Sequence, residues 1–152
     1  MKFEGFDELR KTFHRLPLRT VDKVLKSAVR AGANPIVKAV RSRAPRRTGT
    51  LAKSIMAKVK LYAATGTAVA IIGARSRKVQ VASRIGGSRH GQAIFANPAK
   101  YAHLVEGGIY GGKAATHFME RGFAAGVTSA ESRYIKFLRK GIEREARKGG
   151  FK

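Results

Sequence analysis

Hydrophobic positions in this chain change period between helical and strand spacing, and each change marks a boundary. Phe6, Leu9, Phe13 and Leu16 recur at helical spacing; Asp7 and Glu8 near the start suit the helix dipole, and Pro17 ends the segment. From Leu18 a second helical stripe runs through Val21, Leu25, Ala28, Val29, Gly32, Ile36 and Val40. Arg19, Lys23, Lys26, Arg30, Lys38 and Arg41 fill its other face. Gly32-Ala33-Asn34-Pro35 interrupts this run. Asn34 as N-cap, with Pro35 at the first helical position, predicts two collinear or bent helical pieces. Further on, Ile55, Ala57, Val59 and Leu61 alternate with Met56, Lys58, Lys60 and Tyr62, the pattern of a half-buried strand with a basic outer face. Ala64-Thr65-Gly66 turns the chain, and Thr67–Ala74 reads as the antiparallel partner.

Between the two periods lies Ala44–Ile55, an elbow. Pro45 fixes φ and removes a backbone donor, and it pushes Ala44 toward extended geometry, so the helix ends there. Thr48-Gly49 supplies a tight reversal with Gly49 at positive φ, and Thr50 then caps a short turn through Leu51-Ala52-Lys53. Leu51 and Ile55 are the expected anchors into the core. Pro45, Thr48, Gly49, Leu51 and Ile55 thus form a structural elbow with Arg46 and Arg47 exposed on it as candidate assembly contacts to an acidic partner or phosphate.

The second half of the chain returns to helices. Lys78-Val79-Gln80-Val81 and Ala93-Ile94-Phe95-Ala96 are candidate short strands. The stretch Arg75–Gly91 carries Arg75, Arg77, Lys78, Arg84 and Arg89 with Gly86, Gly87 and Gly91, which is too polar and glycine-rich for a core. A connection this long is either an assembly arm, contacting an acidic partner or phosphate through those cations, or a disordered loop. Asn97-Pro98 opens a helix through Tyr101, Ala102, Leu104 and Val105 to a Gly107-Gly108 stop. A further helix starts near Thr116 with Phe118 and Phe123 as anchors. Thr128-x-x-Glu131, a capping-box pattern, opens a last one carrying Tyr134, Ile135, Leu138 and Ile142. The expected fold is α+β in a single domain, 1–152: N-terminal helices 6–44, a sheet region 53–96, C-terminal helices 97–147 and a basic tail 148–152. A small antiparallel sheet packs against the long basic helix and the C-terminal helices.

Charge sharpens this picture. The chain has 32 Lys and Arg against 9 Asp and Glu over 152 residues, a formal net charge of +23. Repulsion on that scale calls for a neutralising partner, either nucleic acid or an acidic protein surface. Apolar residues make up 43% of the chain, enough for one core. With no Cys there is no disulfide framework and no cysteine-based zinc site or nucleophile. The N-terminus lacks the basic-then-apolar order of a signal peptide, and no apolar run approaches the roughly 18 residues of a membrane span. The expectation is a protein made and used in a cytoplasm, with no membrane partner.

Candidate chemistry is sparse. Gly107–Lys113 fits the first seven positions of a phosphate-binding loop, but position eight is Ala114 and the preceding pattern is helical, so the mechanism fails and a glycine hinge remains. His103-x-x-Glu106 and His117-x-x-Glu120 place each His and Glu on one helix face, a conceivable metal set, yet each half has an ordinary ion-pair or helix-start reading. No nucleophile has a base and an orienting third group beside it. The sequence reads as a non-enzyme without metal or cofactor, and without a base-reading motif any DNA contact is to phosphates alone.

The basic helix followed by Ala-Pro-x-x-Thr-Gly-x-Leu-x-x-Ser-Ile, then Tyr101-Ala102-x-x-Val105-Glu106-x-Gly108, then Ala115-Thr116-His117-Phe118, resembles the head–tail joining proteins of long-tailed bacteriophages. These are also called neck, tail-completion or minor tail proteins. The resemblance spans roughly Val21 to Phe123. One departure stands out: that family usually has Pro immediately before the Phe, where this chain has His117. The resemblance implies a virion structural protein, assembled in the host cytoplasm, that forms a homo-oligomeric ring in the neck. Its implied partners are further copies of itself, head-completion, portal-side and tail proteins, and packaged DNA through non-specific contacts. A tail-terminator ring is the nearest alternative. A basic ribosomal or nucleoid-type nucleic-acid-binding protein is the alternative from another class; it accounts for the charge but not for the elbow and the Val-Glu motif.

Overall fold

The computed structural model describes residues 18–46, 49–62, 65–76, 79–83, 93–109, 112 and 114–148. The expected first helix over Phe6–Leu16, its Pro17 stop and the tail beyond Lys148 lie outside them. In chain order the elements are α1 (Leu18–Arg43), α2 (Thr50–Ser54), β1 (Ile55–Tyr62), β2 (Thr67–Ala74), β3 (Val79–Ser83), β4 (Ala93–Ala96), α3 (Pro98–Gly107) and α4 (Phe118–Lys148). The fold is α+β. Its described strands form two separate two-stranded ladders, β1–β2 and β3–β4.

Two expected helix boundaries are absent, for related reasons. α1 runs unbroken for 26 residues with Pro35 inside it, so Asn34-Pro35 does not restart a helix. A proline there forfeits one backbone bond and crowds the Ala31 carbonyl, a cost of about 3 kcal/mol. Burial of Ala31 and Ala33 before it, and of Val37 and Val40 after it, outweighs that cost. Likewise α4 is one 31-residue helix that passes through Thr128 without a cap. The Thr128 carbonyl instead accepts the Ser132 hydroxyl at 3.1 Å in the helix interior. Phe118, Gly122, Gly126, Ala130, Tyr134, Leu138 and Ile142 recur every fourth residue, all buried or half-buried, so there is no change of face at which to stop.

Contacts divide the chain into two compact units, each assembled from discontinuous segments. In the first, made of 1–35, 58–71 and 128–152, Val24, Ala28, Leu138 and Ile142 form the core, with Val21 and Tyr134 against it. α1 and α4 approach closely here. A Cβ on Gly32 would lie 3.0 Å from Tyr134 Cβ, and one on Gly141 would lie 2.6 Å from Val24 Cγ1. In the second, made of 36–57 and 72–127, a Cβ on Gly122 would lie 2.6 Å from both Val40 Cα and Cγ2, and one on Gly126 would lie 2.8 Å from Ile36 Cα.

This close approach corrects the expected stripe on α1. Ala28, Gly32 and Val40 are buried as expected; Val24, Ala31, Ala33 and Val37 are buried as well, while Leu25, Val29 and Ile36 are only half-buried. The expected anchor Phe123 is 55% exposed. Five residues beyond Phe118, it points about 140° around the helix from that buried ring. The strands follow the sequence more closely. β1 buries Ile55 and half-buries Ala57, Val59 and Leu61, and it exposes the alternate residues, as expected. β3 extends to Ser83 inside the basic stretch Arg75–Gly91. It pairs antiparallel with β4 from Val79↔Ala96 to Ser83↔Ala93, with an irregularity between Gln80 and Ala82.

The seam glycines give a direct test. Gly122→Ala adds helix propensity worth up to about 1 kcal/mol, yet its methyl would collide with the backbone of α1. A net loss of about 1–3 kcal/mol is expected by denaturant unfolding. Gly141→Ala, which meets only the end of the Val24 side chain, should be milder. Equal or greater stability of Gly122→Ala would show that the helices are not in contact there.

Candidate functional site

The elbow belongs to the second unit and is built as a rigid corner. α1 ends at Arg43, and the Ala44 amide still donates to the Val40 carbonyl at 3.0 Å, so Ala44 turns inward and is buried before Pro45 leads the chain out. Pro45 and Arg46 are exposed, while Arg47 and Thr48 lie outside the described residues. Gly49 has φ 68° and occupies the N-cap position of α2, so the cap falls one residue earlier than Thr50. Thr50 is itself buried, as are Leu51 and Ile55 at 4% and 0% exposure. The corner is then tied from outside. The Ser54 hydroxyl donates to the Leu51 carbonyl at 2.7 Å, and the Ser54 carbonyl accepts the Arg75 amide at 3.0 Å. The Arg41 Nε donates to the Ile55 carbonyl at 2.9 Å. Arg41 is exposed on α1 as expected, and its head group in addition fixes the start of β1.

A second junction joins α3 to α4 in the same unit. Asn97 stands at the N-cap position of α3 with Pro98 following, but its side chain makes no cap bond and its Nδ2 reaches Ser76 Oγ at 3.4 Å. The helix stops at Gly107, and Gly108 takes φ 77°. The Val105 carbonyl then accepts both the Thr116 amide at 3.2 Å and the Thr116 hydroxyl at 2.7 Å, and the Glu106 carbonyl accepts the His117 amide at 3.2 Å. The Glu106 carboxylate accepts the amides of Met119 at 2.9 Å and Glu120 at 3.2 Å. Glu106 therefore caps the long helix α4 from a distance, placing a negative group against the positive end of its dipole. Among the described residues His117 is the non-glycine residue with positive φ, 47°. Proline can adopt neither that angle nor the bond to Glu106, which accounts physically for His in place of Pro at this junction.

Both junctions face one core. Val37, Val40, Ala44, Leu51, Ile55 and Phe118 are buried together, and Tyr101, Ala102, Val105 and Met119 pack against them. α2 also packs on α3. Burial raises the Tyr101 phenol above its ordinary pKa, so it stays neutral as a packing group. The elbow and the Tyr-Ala-x-x-Val-Glu motif are thus two sides of a single scaffold.

The same geometry engages Glu106, Glu120 and His117 of the conceivable metal set in other contacts. Both Glu106 oxygens are occupied by backbone donors, and His117 Nδ1 lies 3.4 Å from Glu120 Oε2 as an exposed pair. Among the described residues no group of three or more His, Asp or Glu could hold a metal ion. Of the expected assembly cations, Arg46 and Arg75 are exposed; Arg77, Lys78, Arg84 and Arg89 lie outside the described residues. The role of Glu106 was not read from sequence. Its signal was an isolated acid in a basic chain, a dozen residues before a helix start.

Residues 7–108 match the family model described as "Bacteriophage HK97-gp10, putative tail-component". No curated protein and no solved structure matches the chain.

Two sets of variants probe the scaffold by thermal or denaturant melts. A Cβ at Gly49 meets open space, so Gly49→Val carries backbone strain alone, about 1–3 kcal/mol, whereas Leu51→Ala loses packing worth about 2–5 kcal/mol. Wild-type stability in both would mean the elbow is not a folding determinant. Glu106→Ala removes the distant cap and should cost about 0.5–2 kcal/mol; an unchanged melt would show that the α4 terminus does not need it.

Proposed function

The chain belongs to the HK97-gp10-like family of bacteriophage tail components, and on that footing we propose that it is a structural, non-catalytic protein of the virion neck. In this reading copies of the chain close into a ring that joins or completes the head–tail interface. The neighbours would be head-completion, portal-side and tail proteins. The observation that carries the reading is the family match itself, which covers more than half of the chain and includes the whole elbow and the Tyr101–Gly108 motif. Those motifs serve packing and helix capping, which supports a scaffold rather than a reaction centre.

Local structure supports self-association. Each described strand has a ladder neighbour on one side only, so β1–β2 and β3–β4 both present backbone edges on which a neighbouring subunit's strand can add. The β3–β4 hairpin grows from the Arg75–Gly91 stretch, and we assign that stretch as the arm which reaches the next subunit. Arg75 lies at its base, held through its amide to Ser54.

A phage carrying a nonsense change in this gene tests the placement. Loss of a neck ring leaves filled heads and tails of normal length that do not join. Tails of uncontrolled length would mean a tail terminator instead, and normal infectious particles would overturn both. The arm is tested by replacing residues 84–92, between β3 and β4, with an Asn-Gly turn. Stability should stay within about 0.5 kcal/mol of wild type while ring assembly is lost. Normal assembly of that variant would make the segment a tolerated insertion.

A further inference from the structure

The Thr128–Lys148 half of α4, in the first unit, exposes a face that neither core nor junction uses. Arg133, Lys136, Lys140, Arg144 and Arg147 follow one another at spacings of three or four residues, so they share one side of the helix, and all are exposed. Glu145, on another face, takes Arg144 at 3.3 Å and Lys148 at 3.1 Å. Arg133, Lys136, Lys140 and Arg147 form no ion pair with the described residues. Phe137 sits among them, 41% exposed, with the Arg133 guanidinium 5.7 Å from its ring centroid. A groove opens on each side of that ring. One is walled by Val24, Ser27, Lys140, Arg144 and one acid, Glu143, the other by Ser129, Ser132, Arg133 and Lys136.

We propose that this face is a binding surface for the sugar-phosphate backbone of DNA, without sequence readout. Successive cations rise about 6 Å or less per step along the helix, a linear array suited to a linear polyanion. The exposed Ser27 and Ser129 hydroxyls in the grooves add donors of the kind that phosphate oxygens accept. An acidic protein partner fits less well. Protein interfaces centre on an apolar patch and are depleted in Lys, whereas here one aromatic ring is flanked by Lys and Arg. The surface does not overlap the elbow, the α3–α4 junction or the β3–β4 arm, so it stands whether or not the chain forms a ring.

The test uses the full chain and a labelled duplex of arbitrary sequence, with binding followed by fluorescence anisotropy across a salt series. The triple variant Lys136→Gln, Lys140→Gln, Arg147→Gln should bind about tenfold or more weakly near physiological salt. Its slope of log affinity against log salt should be shallower by about 2–3, since each lost phosphate contact removes roughly one from it. A control triple, Lys38→Gln, Lys58→Gln, Lys60→Gln, removes the same charge from exposed positions elsewhere and should change binding far less. Circular dichroism melts check that both remain folded. Equal losses in the two triples would reduce the effect to net charge and overturn the surface. Polyglutamate competing as well as DNA at equal charge, and losing affinity in the first triple alike, would reassign the face to an acidic protein.

Discussion

The near-contact of α1 and α4 is the constraint on which the rest of the structure depends. In the second unit, Gly122 and Gly126 leave no room for even a methyl group against Val40 and Ile36. In the first, Gly32 and Gly141 play the same part against Tyr134 and Val24. Helices that touch through backbone bury little apolar area per residue, so the seam draws on dispersion at short range more than on large side chains. Larger apolar side chains fill in beside those contacts: Leu138 and Ile142 against Val24 and Ala28 in the first unit, and Leu51, Ile55 and Phe118 together in the core of the second. That is why the elbow matters. It delivers Leu51 and Ile55, from the end of one helix and the start of a strand, to the point where Phe118 begins another.

Where a residue's consequence is local, the sequence was a good guide. Period-two alternation placed β1 and the sides of its residues, Pro45 placed the end of α1, and the Thr-Gly pair gave the positive φ of Gly49. The errors share one cause. Pro35 and the Thr128-x-x-Glu131 pattern are local stop signals, and both are overridden by a seam continuing past them. That seam is hard to see in sequence because it is made of Gly, Ala and Val. Of the expected positions Ala28, Gly32 and Val40 are buried, whereas Leu25 and Val29 are only half-buried and Phe123 is exposed. The spacing Gly122-x-x-x-Gly126-x-x-x-Ala130 was the available sign that small residues, not large ones, lined the contact.

The few acidic residues show how the chain lives with its charge. Of 9 carboxylates in the sequence, Glu106 caps α4, Glu120 pairs with His117, and Glu145 joins Arg144 and Lys148. Each acts within its own neighbourhood, at a helix end or one turn away, and does little to offset the +23 total. Exposed like charges within a Debye length of about 10 Å at 0.1 M salt repel, so unneutralised cations on α1 and α4 weaken the helix seam from outside. A polyanion laid along α4 would relieve that repulsion as it binds. Binding and stability are then linked: whatever neutralises the basic face also stabilises the folded chain.

If copies of the chain assemble as proposed, the two junctions would bear on that assembly through rigidity. A subunit that passes load or position to its neighbours needs its projecting parts to leave the core at fixed angles. The Arg41 side chain on the Ile55 carbonyl sets where β1 begins, and the Arg75 amide on the Ser54 carbonyl sets where β2 leads away toward β3. Glu106, with the Thr116 and His117 bonds, fixes the start of α4 against the end of α3. Every one of these ties involves a backbone group, and those made by side chains need a narrow choice of residue: a guanidinium that reaches Ile55, a carboxylate that meets two amides, a hydroxyl that meets Val105. The motif residues that carry the family resemblance are therefore the fasteners of the scaffold. On the proposed reading, contacts with partners would fall to what those fasteners leave free, the strand edges and the basic face of α4.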